Sequence, residues 1–172
     1  DGRGVFVASD LEREFAALAY INLSDGALTV LDAPDWDVSA LALSRGGKYL
    51  AWSINEEGYS LLKVQDLVLS GDEGLESKTF VDTRNVPQGV ISHLSFAPDN
   101  SALAFVVTSA ARNMDVWLLE LQTGHVTRLT HSSRAGIPVE SFGTEELIRF
   151  TSFDGLSIPA YFYRPASAKP GE

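Results

Sequence analysis

The sequence predicts an all-β protein: a partial β-propeller of about three four-stranded antiparallel blades, followed by a C-terminal β-hairpin that does not belong to the repeat. Three observations predict it. A turn-centred pattern recurs at blade-like spacing. The strand before each turn alternates apolar and polar residues, and the strand after it is nearly all apolar. Helix signals are poor along the whole chain.

The repeat is clearest in Leu94-Ser95-Phe96-Ala97-Pro98-Asp99-Asn100-Ser101-Ala102-Leu103-Ala104-Phe105. An earlier copy runs Leu41-Ala42-Leu43-Ser44-Arg45-Gly46-Gly47-Lys48-Tyr49-Leu50-Ala51-Trp52, and a third, lacking its first strand, is Asp1-Gly2-Arg3-Gly4-Val5-Phe6-Val7. Aligning Asp1, Gly46 and Asp99 gives spacings of 45 and 53 residues, in the range of propeller blades or solenoid repeats. Apolar residues at Leu41 and Leu43, and at Leu94 and Phe96, alternate as a half-buried strand requires. Pro98 presets a turn, and Gly46-Gly47 supply positive φ without steric cost. The runs Tyr49–Trp52 and Leu103–Val107 suit strands covered on both faces.

A second hairpin follows each first one. Leu18–Leu23 leads through Ser24-Asp25-Gly26 into Leu28–Leu31, and Val116–Leu121 leads through Gln122-Thr123-Gly124 into Val126–Leu129. Leu23 aligns with Leu121 and Gly26 with Gly124, each 98 residues apart, the total of the two first-hairpin spacings. In the middle copy Ser60–Val64 begins the third strand, an expanded turn spans 70–76, and Thr79–Val81 forms the fourth. Four antiparallel strands per unit is a propeller blade; solenoid repeats rarely have four. Blades are therefore expected over about 1–33, 38–83 and 91–131. The loops 10–14, 55–58 and 109–113 would project from one rim. Leu11–Ala17 invites a helix but reads as one of these loops.

The chain changes character near Ser132. A polar connector, 132–145, precedes a strand at Glu146–Ser152, an Asp154-Gly155 turn and a strand at Ser157–Tyr163. Pro159 lacks an amide donor and suits an edge.

Composition narrows the function classes. A net charge of −10 repels phosphate backbones, so no nucleic-acid partner is expected, and the acidity serves solubility. No apolar run approaches the roughly 18 residues of a membrane span, so no membrane partner is expected. No cysteine is present, which removes disulfides, thiolate metal sites and a cysteine nucleophile. That absence is compatible with any compartment; the working expectation is the cytoplasm. The opening Asp1-Gly2-Arg3-Gly4 and the closing Lys169-Pro170-Gly171-Glu172 both read as cut from a longer chain.

Residues 146–165, from Glu146-Leu147-Ile148-Arg149-Phe150-Thr151-Ser152-Phe153-Asp154-Gly155 through Ile158-Pro159-Ala160-Tyr161-Phe162-Tyr163-Arg164-Pro165, carry a resemblance. They are similar to the start of the catalytic domain of the prolyl oligopeptidase family, serine peptidases that include acylaminoacyl peptidases and dipeptidyl aminopeptidases. The Ala97-Pro98-Asp99 turn also resembles that family's propellers, and similar turns occur in translocation and binding propellers. The resemblance implies that 146–172 begins an α/β-hydrolase domain. It implies a propeller that gates or positions short peptides for a downstream Ser-Asp-His triad in the same polypeptide.

The chain itself is expected to be catalytically inactive. It has no Gly-x-Ser-x-Gly elbow, Ser157 lies in a strand, and the family's triad would lie beyond Glu172. His93, His125 and His131 sit in different contexts, so no metal site is expected, nor any cofactor. Trp52 and Trp117 read as core, and Trp36 as packing in an inter-blade connection. In the acidic loop Asn55–Tyr59, Glu56 and Glu57 are the candidate substrate-binding residues, since rim carboxylates can ion-pair with a peptide amino terminus. The alternative reading is a non-enzymatic propeller that binds proteins through its rim loops. About three blades cannot close a ring, so self-association of the isolated chain is also expected.

Overall fold

The computed structural model describes residues 2–70 and 74–165. Three antiparallel sheets follow one another, and a two-stranded ribbon ends the series. Blade 1 holds β1 (Gly4–Ser9), β2 (Ala17–Asn22) and β3 (Leu28–Asp32) in that order, three strands among the described residues where four per blade were expected. Blade 2 is β4 (Val38–Leu43), β5 (Tyr49–Glu56), β6 (Tyr59–Ser70) and β7 (Gly74–Phe80). Blade 3 is β8 (Val90–Phe96), β9 (Ala102–Ser109), β10 (Arg112–Glu120) and β11 (Val126–Arg128). The ribbon pairs β12 (Thr144–Thr151) with β13 (Ser157–Arg164) in one unbroken register from Thr144↔Arg164 to Thr151↔Ser157.

The repeat is visible in single hydrogen bonds. Gly47 N and Ser44 N donate to Ser44 and Tyr49 carbonyls; 53 residues on, Asn100 N and Ala97 N donate to Ala97 and Ala102. Gly26 N donates to the Asn22 carbonyl and Leu23 N to that of Arg3; 98 residues on, Gly124 N donates to Glu120 and Leu121 N to Ser101. The turns adopt left-handed backbone where the sequence placed glycine: φ is 76° and 74° at Gly46 and Gly47, and 73° and 69° at Gly26 and Gly124.

Several strands run longer than their composition suggested. β6 reaches Ser70 and β7 starts at Gly74, so the fourth strand of blade 2 begins five residues before the expected Thr79. Part of the expanded turn expected over 70–76 lies outside the described residues. The expected rim loops 55–58 and 109–113 shrink to two-residue turns, Glu57-Gly58 and Ala110-Ala111, because their polar flanks continue the ladders. Leu11–Ala17 forms turns that lead into β2, with no helix.

The core lies between the blades. Even-numbered Leu50, Trp52 and Ile54 of β5 pack with Leu18 of blade 1. Odd-numbered Tyr49 and Ala51 pack with Ile91, Leu103, Phe105 and Val107 of blade 3. The strand's two-residue side-chain period sends alternate residues to opposite blades, so a continuous apolar run is what the position requires. Asp32 staples blade 1 to blade 2 by accepting from Trp52 Nε1 and from Lys63 Nζ, both at 2.8 Å. Trp36 packs on the blade 1–2 core and against Phe15, and Trp117 on the blade 2–3 core.

Blade 3 ends at a buried carboxylate. Asp115, 2% exposed, accepts from the Ser132 amide (2.8 Å), the Thr130 hydroxyl (2.8 Å) and the Arg128 guanidinium (2.5 Å). Burial opposes its charge, but the Ser132 amide, Arg128 and Thr130 outweigh burial and hold the carboxyl well below its ordinary value. The network ties β10 to the start of the connector.

This packing sets the cost of several substitutions. Replacing Trp52 by Ala should cost about 3–5 kcal/mol, read as a fall in denaturant midpoint, whereas Leu43→Ala at a half-exposed site should stay within about 1 kcal/mol. Arg128→Ala, which leaves the Asp115 carboxylate without its countercharge, should cost about 3 kcal/mol. Because the folded-state pKa of Asp115 is depressed, its stabilisation is present above the ordinary value of 3.8 and lost as pH falls below it. Asp115→Asn should therefore flatten the acid limb of a stability-versus-pH curve, and an unchanged slope would contradict the assignment.

Candidate functional site at the blade rim

The turns joining β5 to β6 and β9 to β10 lie on one rim, and the ribbon β12–β13 is fastened across them. Glu57 and Gly58 have φ of 52° and 92°, the two positive angles of a tight hairpin turn. Gly58 also leaves room for the ring of Tyr161, since a Cβ there would stand 2.7 Å from a ring carbon. Cross-strand neighbours share a face, so Glu145, Leu147, Arg149, Tyr161 and Tyr163 form the ribbon's rim-facing side.

Four polar contacts and one ring contact join the two parts. Tyr59 donates its hydroxyl to Glu145 Oε1 at 2.6 Å, and Glu145 Oε2 accepts the Ala110 amide at 3.1 Å. Tyr161 donates to the Glu57 carbonyl at 2.8 Å, and the Glu57 carboxylate pairs with Arg149. The rings of Tyr59 and Tyr161 meet edge to face, with centroids 5.1 Å apart. Burial, then the hydrogen bond and charge of Glu145, pushes the Tyr59 hydroxyl well above its ordinary value of 10.0. Beside this contact an open cavity of about 750 Å³ is lined by Tyr59, Gln88, Phe142, Glu145, Leu147 and Arg164, among others.

The structure separates the two sequence-derived candidates. Glu56 ends β5 exposed, directly opposite Tyr59 in the ladder and so on the same face. Glu57 is engaged by Arg149, and its side chain is only 16% exposed. The histidines are all exposed and apart, and no group of three or more His, Asp or Glu side chains among the described residues is placed to hold a metal. His93 lies within β8, at a bulge with φ 55°, and its Nδ1 meets Ser92 Oγ at 2.9 Å. That contact between sequence neighbours lacks the strand-to-helix elbow of a hydrolase nucleophile. Asp154-Gly155 is a turn, with Gly155 at φ 87°. Sequence reasoning missed Glu145, Arg149 and Tyr161 as rim partners. They meet the rim across 35 to 104 residues of chain, and no local pattern marks such pairs.

No family model and no curated protein sequence matches the chain. Solved structures do. One from a study of two prolyl endopeptidases superposes with a TM-score of 0.72 at 16% identity, covering 98% of this chain and 24% of that one. The chain has the propeller fold of the prolyl oligopeptidase family. Prolyl oligopeptidase B of Galerina marginata, bound to a 35mer hydrolysis and macrocyclization substrate, matches with a TM-score of 0.75 at 13% identity over 98% of this chain and 23% of its own. Porphyromonas gingivalis dipeptidyl peptidase 4 matches with a TM-score of 0.66 at 14% identity over 97% and 23%. The chain thus spans about a quarter of the length of these prolyl oligopeptidase-like structures.

The raised Tyr59 pKa carries a sign. The fold favours the protonated phenol, so its contribution is complete below pH 10.0 and declines as pH rises beyond it. Loss of ribbon protection from hydrogen exchange should therefore begin above pH 10 in the wild type. In Tyr59→Phe the ribbon should be weaker at neutral pH and show a smaller alkaline step, what remains coming from Tyr161, whose hydroxyl is also pushed up by burial; an identical alkaline step in that variant would refute the role given to Tyr59.

Proposed function

We propose that this chain is the propeller portion of a serine peptidase, gating or positioning short peptides for a Ser-Asp-His hydrolase domain further along the same polypeptide. The chain contributes no nucleophile of its own in this reading. The observation that carries it is the likeness to prolyl oligopeptidase structures over nearly the whole chain, ribbon included. The ribbon's far face supports it. Ile148, Phe150 and Phe162 are 38%, 53% and 46% exposed there, an apolar side suited to a further layer of hydrolase structure. Chemistry would be acyl transfer through the downstream serine, with water as the final acceptor.

Within this reading Glu56 is the carboxylate assigned to a peptide amino terminus. It is exposed, sits at the rim and shares a face with Tyr59, which lines the cavity. Glu57 supports it indirectly, by fixing the turn through Arg149. The test is made on the full-length polypeptide with paired short peptides, one set with free amino termini and one N-acylated. Hydrolysis of either set, lost when the downstream serine is replaced, is the expected result; a reading frame without that serine motif would overturn the proposal. Glu56→Gln should raise KM several-fold for the free-amine set alone, and an unchanged KM would remove Glu56 from the site.

A further inference from the structure

We infer that the ribbon is a clamp across the seam between blades 2 and 3, so that ribbon docking and seam closure stabilise one another. The inference does not depend on any catalytic activity. Glu145 uses its two carboxylate oxygens on two different blades: Oε1 takes the Tyr59 hydroxyl of blade 2, and Oε2 takes the Ala110 amide of blade 3. Each blade also has a separate hold on the C-terminal segment. Blade 2 has the Tyr161–Glu57 hydrogen bond and the Arg149–Glu57 ion pair. Blade 3 has the Arg134 guanidinium on the Ala111 carbonyl at 2.8 Å.

The seam runs through the neighbouring residue. Ser60 N donates to the Gly89 carbonyl, and the Ile91 amide donates to Ser60 Oγ, each at 2.9 Å. Gly89 in turn lies so close to β9 that a Cβ would stand 2.5 Å from the Thr108 carbonyl oxygen. The contacts therefore close a ring: Glu145 to Tyr59, Ser60 to Gly89 and Ile91, Gly89 against Thr108, and along β9 to Ala110 and back to Glu145. A carboxylate held at both oxygens fits only one spacing of its two donors. If the seam opens, one of the two bonds is lost; if the ribbon leaves, the seam loses its bridge. Such coupling is reciprocal by linkage.

The experiment is amide hydrogen exchange, resolved by residue, on the full chain and three variants. Glu145→Ala should speed exchange about tenfold in β12–β13 and also at the Ser60 amide, with β1 and β2 of blade 1 unchanged. Glu145→Gln, which keeps one acceptor oxygen, should give a smaller rise at the same places. Ser60→Ala removes the Ile91–Ser60 hydrogen bond of the seam, keeps the backbone bond to Gly89, does not touch the ribbon, and should speed exchange in β12–β13. The clamp is overturned if Glu145→Ala loosens the ribbon while Ser60 keeps wild-type exchange, or if Ser60→Ala leaves the ribbon unchanged. Should Glu145→Ala fail to fold, the Gln and Ser60 variants decide the matter by the same two readouts.

Discussion

Everything in this molecule hangs on β5 being buried from both sides. Leu50 and Ala51 are fully buried, Trp52 is 1% exposed, and successive residues feed different inter-blade cores. A single sheet of four strands has two faces and can bury neither alone. Stacking blades solves this for the middle blade at the expense of the outer two. Blade 2 is consequently the best-covered sheet, and blades 1 and 3 each present a second face to solvent. On blade 3 that face carries Val106, Val116 and Leu118, all half-buried. The polar staples follow the same geometry. Asp32 sits where blade 1 meets Trp52, and Ser60 sits where blade 2 meets the strand entering blade 3.

The rim shows how a propeller can hold something that is not a blade. Two-residue turns bring backbone amides and carbonyls of adjacent blades close together at one level. Side chains of the ribbon and of the connector before it then satisfy them: Glu145 the Ala110 amide, Tyr161 the Glu57 carbonyl, and Arg134 of the connector the Ala111 carbonyl. The ribbon's two faces differ in kind. The rim side is polar and aromatic, with specific partners; the far side is an apolar stripe bordered by the Glu146–Arg164 pair at 3.6 Å. A two-stranded ribbon is marginal by itself, so both faces matter to its persistence.

Much of the fold was legible because propeller blades are local objects. Consecutive strands pair with each other, so hairpin turns and alternation carry most of the topology. The offsets of 53 and 98 residues reappear as equivalent backbone hydrogen bonds. Where the reading fell short, it treated polar residues as loop. Glu56 and Arg112, read as loop, both lie in ladders, because an antiparallel strand accepts polar side chains wherever its outer reaches meet water. Of the candidate site, the acidic rim position was legible, but the distinction between Glu56 and Glu57 was not. Adjacent residues in a tight turn diverge in direction, and only the position of Arg149, across 92 positions of sequence, decides which carboxylate is occupied.

Sequence alone determined the all-β class and the recurring hairpins of a partial propeller, since these rest on periodicity and turn chemistry. Tertiary structure alone decided that the last hairpin lies across the seam of blades 2 and 3, and that Glu145, a residue with no distinguishing local pattern, joins them. The reason is physical. Periodicity records which side of a strand is apolar. It does not record which partner a hydrogen-bonding side chain meets when elements dozens of residues apart are brought within 3 Å of one another.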